Sequence, residues 1–207
     1  MKVVLYGATG NAGSRILKEL ENRGHDVTAV VRNPEKLPAG VKSKRDDLSN
    51  VDRIAEILKG ADALVSAYMP PPDNTDQLVE VTRRMIEAVR KAGSPRLIVV
   101  GGAASLEVAP GVTVLSSGHL PKEWVPIATS HAKALEMLRS SEVNWTYFSP
   151  AGFFEPGLRT GKFRLGKDQL LTDEKGESRI SYEDYAIALV DELERPANLR
   201  SRFTIGY

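Results

Sequence analysis

Three glycines spaced three apart, directly after an apolar strand, constrain this chain more than any other feature. Lys2-Val3-Val4-Leu5-Tyr6 reads as a strand and runs into Gly7, Gly10 and Gly13 of GATGNAGSRI. A strand, a tight turn and a helix form a seat for a pyrophosphate, because the helix N-terminus carries unpaired N–H groups and partial positive charge. Gly7 reads as the turn, Gly10 as the point where backbone meets phosphate with no Cβ between, and Gly13 as the close contact of helix with sheet. The segment Gly7, Ala8, Thr9, Gly10, Asn11, Ala12 and Gly13 is therefore expected to bind a dinucleotide. A plain structural turn would also use glycines, and the spacing differs from G-x-G-x-x-G. The next residues favour the βαβ unit: Ile16, Leu17 and Leu20 recur at helical spacing up to Asn22, and Val27 to Val31 reads as a second strand.

Strand and helix go on alternating. Val41 to Lys44 reads as a third strand, Val51 to Lys59 as a helix capped by Asn50, and Ala63 to Ala67 as a fourth strand. Gln77 to Lys91 is an amphipathic helix and Arg96 to Val100 a fifth strand. A helix from about Ile127 to Ser140 leads into a sixth strand, Trp145 to Phe148. Right-handed crossovers give an α/β fold, a doubly wound parallel sheet of order 3-2-1-4-5-6, with its ligand crevice where the first and fourth strands end. The 207 residues suit one domain. Residues 151–207, looser in pattern, with a helix from Tyr182 to Glu194 and a strand near Arg202 to Ile205, are expected to form a small C-terminal cap over that crevice.

A net charge of +1 gives no bias toward nucleic acid or membrane, so an anionic ligand must be held locally. Arg32 stands at the tip of the second strand, where an acidic residue would bond a ribose 2'-hydroxyl; a guanidinium there matches a 2'-phosphate instead. NADP is thus expected over NAD. Arg15 is a candidate second phosphate contact, with a solvated surface charge as the alternative. In Asp46-Asp47-Leu48, Asp47 is the expected acceptor for the adenine amino group, with a turn or cap role as the alternative, and Leu48 is expected beside it in the cofactor site. Without cysteine there is no thiol nucleophile or thiolate metal site, and no metal is expected. Neither a secretory signal nor a membrane-spanning run is evident, so a cytoplasmic protein, monomeric or homodimeric, is expected.

With GATGNAG, VVRNPEK, the DDL turn and WTYFSPAGFF located, the chain resembles the atypical short-chain dehydrogenase/reductases. Within them it is similar to the small NAD(P)H-binding proteins grouped with NADH-flavin reductases and biliverdin reductase B. The likeness covers essentially the whole chain. It implies a Rossmann domain in which Lys133 meets the nicotinamide-ribose hydroxyls, and His131, aligned with a histidine beside the substrate of biliverdin reductase B, gives a proton. His131 suits that work because imidazole titrates near neutrality, although residues 131 and 133 lie about 200° apart on a helix. The Ser and Tyr that short-chain dehydrogenases use are missing. Gly101 to Ala104 follow the fifth strand, Ser105 is displaced, and Thr129 stands four residues before Lys133.

That deficit disfavours ketone reduction and fits hydride transfer to a flat acceptor such as a flavin (FMN or FAD) or a quinone. Ser66, Ala67 and Tyr68 are expected beside the nicotinamide, Ser149, Pro150 and Ala151 around its carboxamide, and Tyr68, Phe153 and Phe154 against the acceptor. The rival reading is a non-catalytic NADP(H)-binding redox sensor. An epimerase or dehydratase fits less well, since it needs the missing Tyr and a larger substrate domain.

Overall fold

Strands that are apolar at nearly every position have no face to show to water, so the sheet they form must be covered on both sides. The computed structural model describes residues Met1–Tyr207. Its strands are β1 (Lys2–Tyr6), β2 (Asp26–Val31), β3 (Ser43–Arg45), β4 (Ala63–Ser66), β5 (Arg96–Val100), β6 (Glu107–Ala109), β7 (Val112–Thr113), β8 (Trp145–Ser149), β9 (Phe153–Glu155), β10 (Arg164–Gly166), β11 (Arg179–Ser181) and β12 (Ser201–Gly206). The helices are α1 (Asn11–Asn22), α2 (Val51–Leu58), α3 (Gln77–Lys91), α4 (Val125–Arg139) and α5 (Tyr182–Glu194).

Eight strands join in the order β10-β12-β8-β5-β4-β1-β2-β3, parallel throughout except for β10 at the edge. This is the expected Rossmann-type order, extended by β12 and β10 beyond β8. Two apolar cores flank the sheet. On one side Ile16 and Leu20 of α1 and Tyr185 and Leu189 of α5 pack with Leu5, Phe148 and Phe203. Phe148 lies stacked between Tyr185 at 4.1 Å and Phe203 at 3.9 Å. On the other side Ile54 of α2, Met85 of α3 and Leu135 of α4 pack with Tyr6, Leu64 and Tyr147. Since β1 and β4 are neighbours while the chain runs from β1 through α1 to β2 on the opposite side, the switch point falls between their C-terminal ends.

Several boundaries differ from the sequence reading. β3 begins at Ser43, not Val41, and is exposed along its whole length, as an edge strand paired only with β2. α4 begins at Val125, because Pro126 is accommodated in a first turn that needs no N–H from it. The short strands β6, β7, β9, β10 and β11 were not read from the sequence. Within 151–207, β12 pairs with β8 and α5 packs on α1, so both belong to the body of the domain. Of the strands in that segment only the β9/β11 pair stands apart from the main sheet, which leaves this ribbon and its loops for the expected cap. No helix is long and apolar enough to cross a membrane.

Candidate functional site

The parallel arrangement brings the segments after β1, β2, β3, β4, β5 and β8 to one edge of the sheet. In the glycine loop the fold itself requires two of the three glycines. Gly7 has φ +81°, and a Cβ on it would lie 2.3 Å from the Ala67 carbonyl oxygen; a Cβ on Gly13 would lie 2.0 Å from the Gly7 oxygen. Gly10 has an ordinary φ of −79°, and the nearest atom to a Cβ there is 3.3 Å away. It is also the N-cap of α1, with no side chain bonded to the helix amides. Thr9, Gly10 and Asn11 are exposed. An uncapped helix start at an exposed glycine whose φ is open to any residue is a cradle a Cβ would fill, and it fits a pyrophosphate.

Arg32, beyond the tip of β2, is exposed and has no carboxylate within 4.0 Å. A guanidinium so placed is free for an external anion. Asp46 is occupied, accepting from the Tyr6 hydroxyl at 2.9 Å and the Leu48 amide at 3.2 Å. Asp47 is exposed, and bonds from Ser49 hold its carboxyl below the ordinary value, so it is an anion ready to accept. Leu48 is buried at φ +65°, and its carbonyl accepts from Arg84 of α3 at 3.2 Å. Arg84 has no carboxylate partner, and with Arg32 its charge is felt at the half-buried Tyr68 hydroxyl, whose pKa burial pushes up. Sequence reasoning missed Arg84, which reads as one more polar position on an amphipathic helix.

Ser66 is buried at the end of β4, and the Ala67 amide donates to the Tyr6 carbonyl at 2.9 Å. Ser149, Pro150 and Ala151 are buried at the end of β8, the Ser149 hydroxyl without a partner. Phe153 is 55% exposed, with the Arg179 guanidinium 4.8 Å from its ring centre. Phe154 instead packs into the body, edge-on to Tyr182 at 4.4 Å and tilted against Tyr185 at 4.6 Å, so the expected pair of stacking rings reduces to one.

Three other expected residues, and Thr129 at the position of the missing Tyr, are engaged within the protein. The Arg15 guanidinium pairs with Glu183 at 3.0 Å and lies 5.7 Å from the Tyr182 ring centre, which draws it toward α5 and away from a phosphate. Ser105 accepts from Arg202 at 3.3 Å, and Arg202 is itself paired with Asp168. Lys133 is exposed, its Nζ 3.6 Å from Asp76 just before α3. Thr129, where the resemblance implies a Tyr, donates its hydroxyl to the Val125 carbonyl at 2.8 Å.

His131 does reach the end of β5. A Cβ on Gly102 would come within 3.0 Å of its ring, and its Nδ1 is 3.0 Å from the hydroxyl of Tyr147 in β8. Burial lowers its pKa to about 4, so the imidazole is uncharged near neutrality. The expectation that it works by titrating near pH 7 is thereby corrected: no carboxylate is near enough to hold its charged form. In sequence Tyr147 is simply one residue of the sixth strand. The signal was present, since the two-residue period of β8 places Tyr147 with Trp145 on the side where α4 packs.

A doubly wound sheet with an uncapped, glycine-entered first helix at its switch point defines a dinucleotide-binding Rossmann protein. The chain belongs to the NAD(P)H-binding family, whose model matches residues 7–196. Three solved structures are similar to it over the full length. A Burkholderia pseudomallei protein provisionally designated as exported shares 44% identity at TM-score 0.93, with 100% of each chain covered. A Bacteroides thetaiotaomicron protein provisionally designated an epimerase shares 45% identity at TM-score 0.92, covering 100% of this chain and 96% of that one. A Streptococcus pneumoniae protein provisionally designated an NADH-flavin reductase shares 35% identity at TM-score 0.91, covering 100% of this chain and 99% of that one.

Proposed function

We propose that this chain is a cytoplasmic oxidoreductase that prefers NADPH and passes hydride to a flavin, a quinone or a similarly flat acceptor. The observation that carries the acceptor class is that the end of β5 offers no group ionising near neutrality. Thr129 is hydrogen-bonded to its own helix, Ser105 accepts from Arg202, Lys133 forms an exposed ion pair with Asp76, and His131 is uncharged. Ketone reduction needs a proton delivered in step with the hydride, whereas a flavin or quinone takes its proton from solvent.

When bound, NADPH supplies the hydride. The chain supplies binding and orientation. Amides at the start of α1 would receive the pyrophosphate, Arg32 the 2'-phosphate through its planar fork, and Asp47 would accept from the adenine amino group. Lys133, now paired with Asp76, would hold the ribose hydroxyls. Ser66 and Ala67 would border the nicotinamide, the turn at Ser149, Pro150 and Ala151 would hold its carboxamide, and Tyr68 and Phe153 would flank the acceptor.

Fluorescence titration tests the cofactor. NADPH binds at least about tenfold tighter than NADH, and Arg32→Ala removes that margin, as loss of a charge-assisted pair requires. Equal affinities would overturn the preference. A screen of NADPH oxidation with FMN, FAD and a quinone tests the reaction. The same lack of an ionising group favours a second reading, an NADP(H)-binding redox sensor, and binding without turnover of any acceptor would put it in place of the enzyme.

A further inference from the structure

The Tyr147 hydroxyl sits where two neighbours fix the use of its single proton. Its oxygen accepts from the Gly102 amide at 3.0 Å. The proton then has two possible acceptors, His131 Nδ1 at 3.0 Å and the His131 carbonyl at 3.3 Å. That carbonyl lies inside α4, where the helix ladder already supplies a partner four residues on, whereas Nδ1 has no other contact. The shorter and otherwise unsatisfied acceptor is Nδ1. A neutral imidazole accepting at Nδ1 carries its proton on Nε2. Nε2 has no hydrogen-bond partner in the protein, yet it is not among the buried polar atoms left without one, so it keeps a path to solvent.

We propose that Tyr147 is a positioning residue that holds His131 as a neutral imidazole with Nε2–H directed out of the protein, so that the ring acts as a fixed hydrogen-bond donor to the acceptor. This rests on the oxidoreductase reading for its catalytic meaning but not for its geometry. The surroundings are consistent with it. His131 is lined by Gly102 and met edge-on by the Tyr147 ring at 6.5 Å, with no charged side chain bonded to it. Burial also pushes the Tyr147 hydroxyl above its ordinary range, which keeps it a donor. A neutral Nε2–H gives up no proton; it polarises an acceptor oxygen or nitrogen as negative charge arrives there with the hydride.

The test is long-range proton–nitrogen NMR on the full chain labelled in its 3 histidines, with the His131 signals assigned by their loss in His131→Gln. The expected spectrum near neutral pH shows Nδ1 unprotonated and Nε2 protonated. Tyr147→Phe then brings in a detectable Nδ1–H population and lowers kcat about tenfold, with KM for NADPH within twofold. A wild-type ring protonated at Nδ1 would overturn the proposal, as would a Tyr147→Phe protein with unchanged tautomer and kcat. The wild-type spectrum needs no variant to fold. Should the wild type turn over no acceptor, the oxidoreductase reading fails while the tautomer measurement still decides the role of Tyr147.

Discussion

At the scale of the residue, the three glycines of the first loop are alike in sequence and different in physical duty. Gly13 is held against the Gly7 carbonyl and Gly7 against Ala67, so both are demanded by the fold, while Gly10 has an ordinary φ and a Cβ there would meet only the Gly7 oxygen, at 3.3 Å. Gly13→Ala is therefore expected to cost about 2 kcal/mol or more of stability by overpacking, measured by urea unfolding. Gly10→Ala should change stability by less than about 1 kcal/mol, in keeping with its unstrained φ, and yet weaken NADPH binding severalfold in the fluorescence titration. If Gly10→Ala binds NADPH as well as the wild type does, the pyrophosphate does not sit there. Arg15 and Arg32 make a similar contrast. Both are lone arginines in the sequence, and only the arrival of Glu183 from a helix far along the chain separates the engaged one from the free one.

At the scale of the element, local signals worked where the chain's own chemistry sets the boundary. Asn50 caps α2 by accepting from the Arg53 amide at 3.0 Å, and Ser181 caps α5 by accepting from the Asp184 amide at 3.0 Å. Asn50→Ala should cost about 1 kcal/mol in urea unfolding, since the position is exposed and the capping bond is the side chain's one hydrogen bond in the protein. A cost near zero would mean that water replaces the cap fully. α3 and β5 run over the stretches expected from periodicity, Gln77–Lys91 and Arg96–Val100. The strands that went unread are 2 or 3 residues long, too short to show any period, and exist because a partner lies alongside: β9 pairs with β11, β10 with β12.

At the scale of the whole molecule, burial of titratable groups ties stability to pH. His131 has an ordinary value of 6.5 and a folded value of about 4, so the unfolded chain binds the extra proton between them. The stabilisation is complete above pH 6.5 and is lost as pH falls toward 4. It amounts to at most about 3 kcal/mol, less to the extent that the ring keeps solvent contact. Glu19, Glu183 and Glu194 are held below their ordinary values, each against its burial, by Arg159 and Arg23, by the Gly157 amide and Arg15, and by His25 and Arg23. Their contributions fade at still lower pH. Urea midpoints measured from pH 7 to pH 4 should therefore drop for the wild type and drop less for His131→Gln; equal slopes would mean that His131 is not held neutral by the fold.

The sequence by itself determined the alternation of strands and helices, the order of the six parallel strands, the glycine loop and the basic tip of β2. These follow from short-range physics: periodicity, caps, glycine sterics and the single handedness of crossovers. It also showed that the usual Ser and Tyr acids are absent. Only the tertiary structure decided which candidates are free to act. Arg15, Ser105 and Phe154 are claimed by Glu183, Arg202 and the aromatic cluster of α5, while Arg32 and Gly10 are left open. The environment that keeps His131 uncharged is likewise assembled from β5, β8 and α4. No local pattern records such pairings, because burial and charge pairing depend on which distant segments the sheet brings side by side.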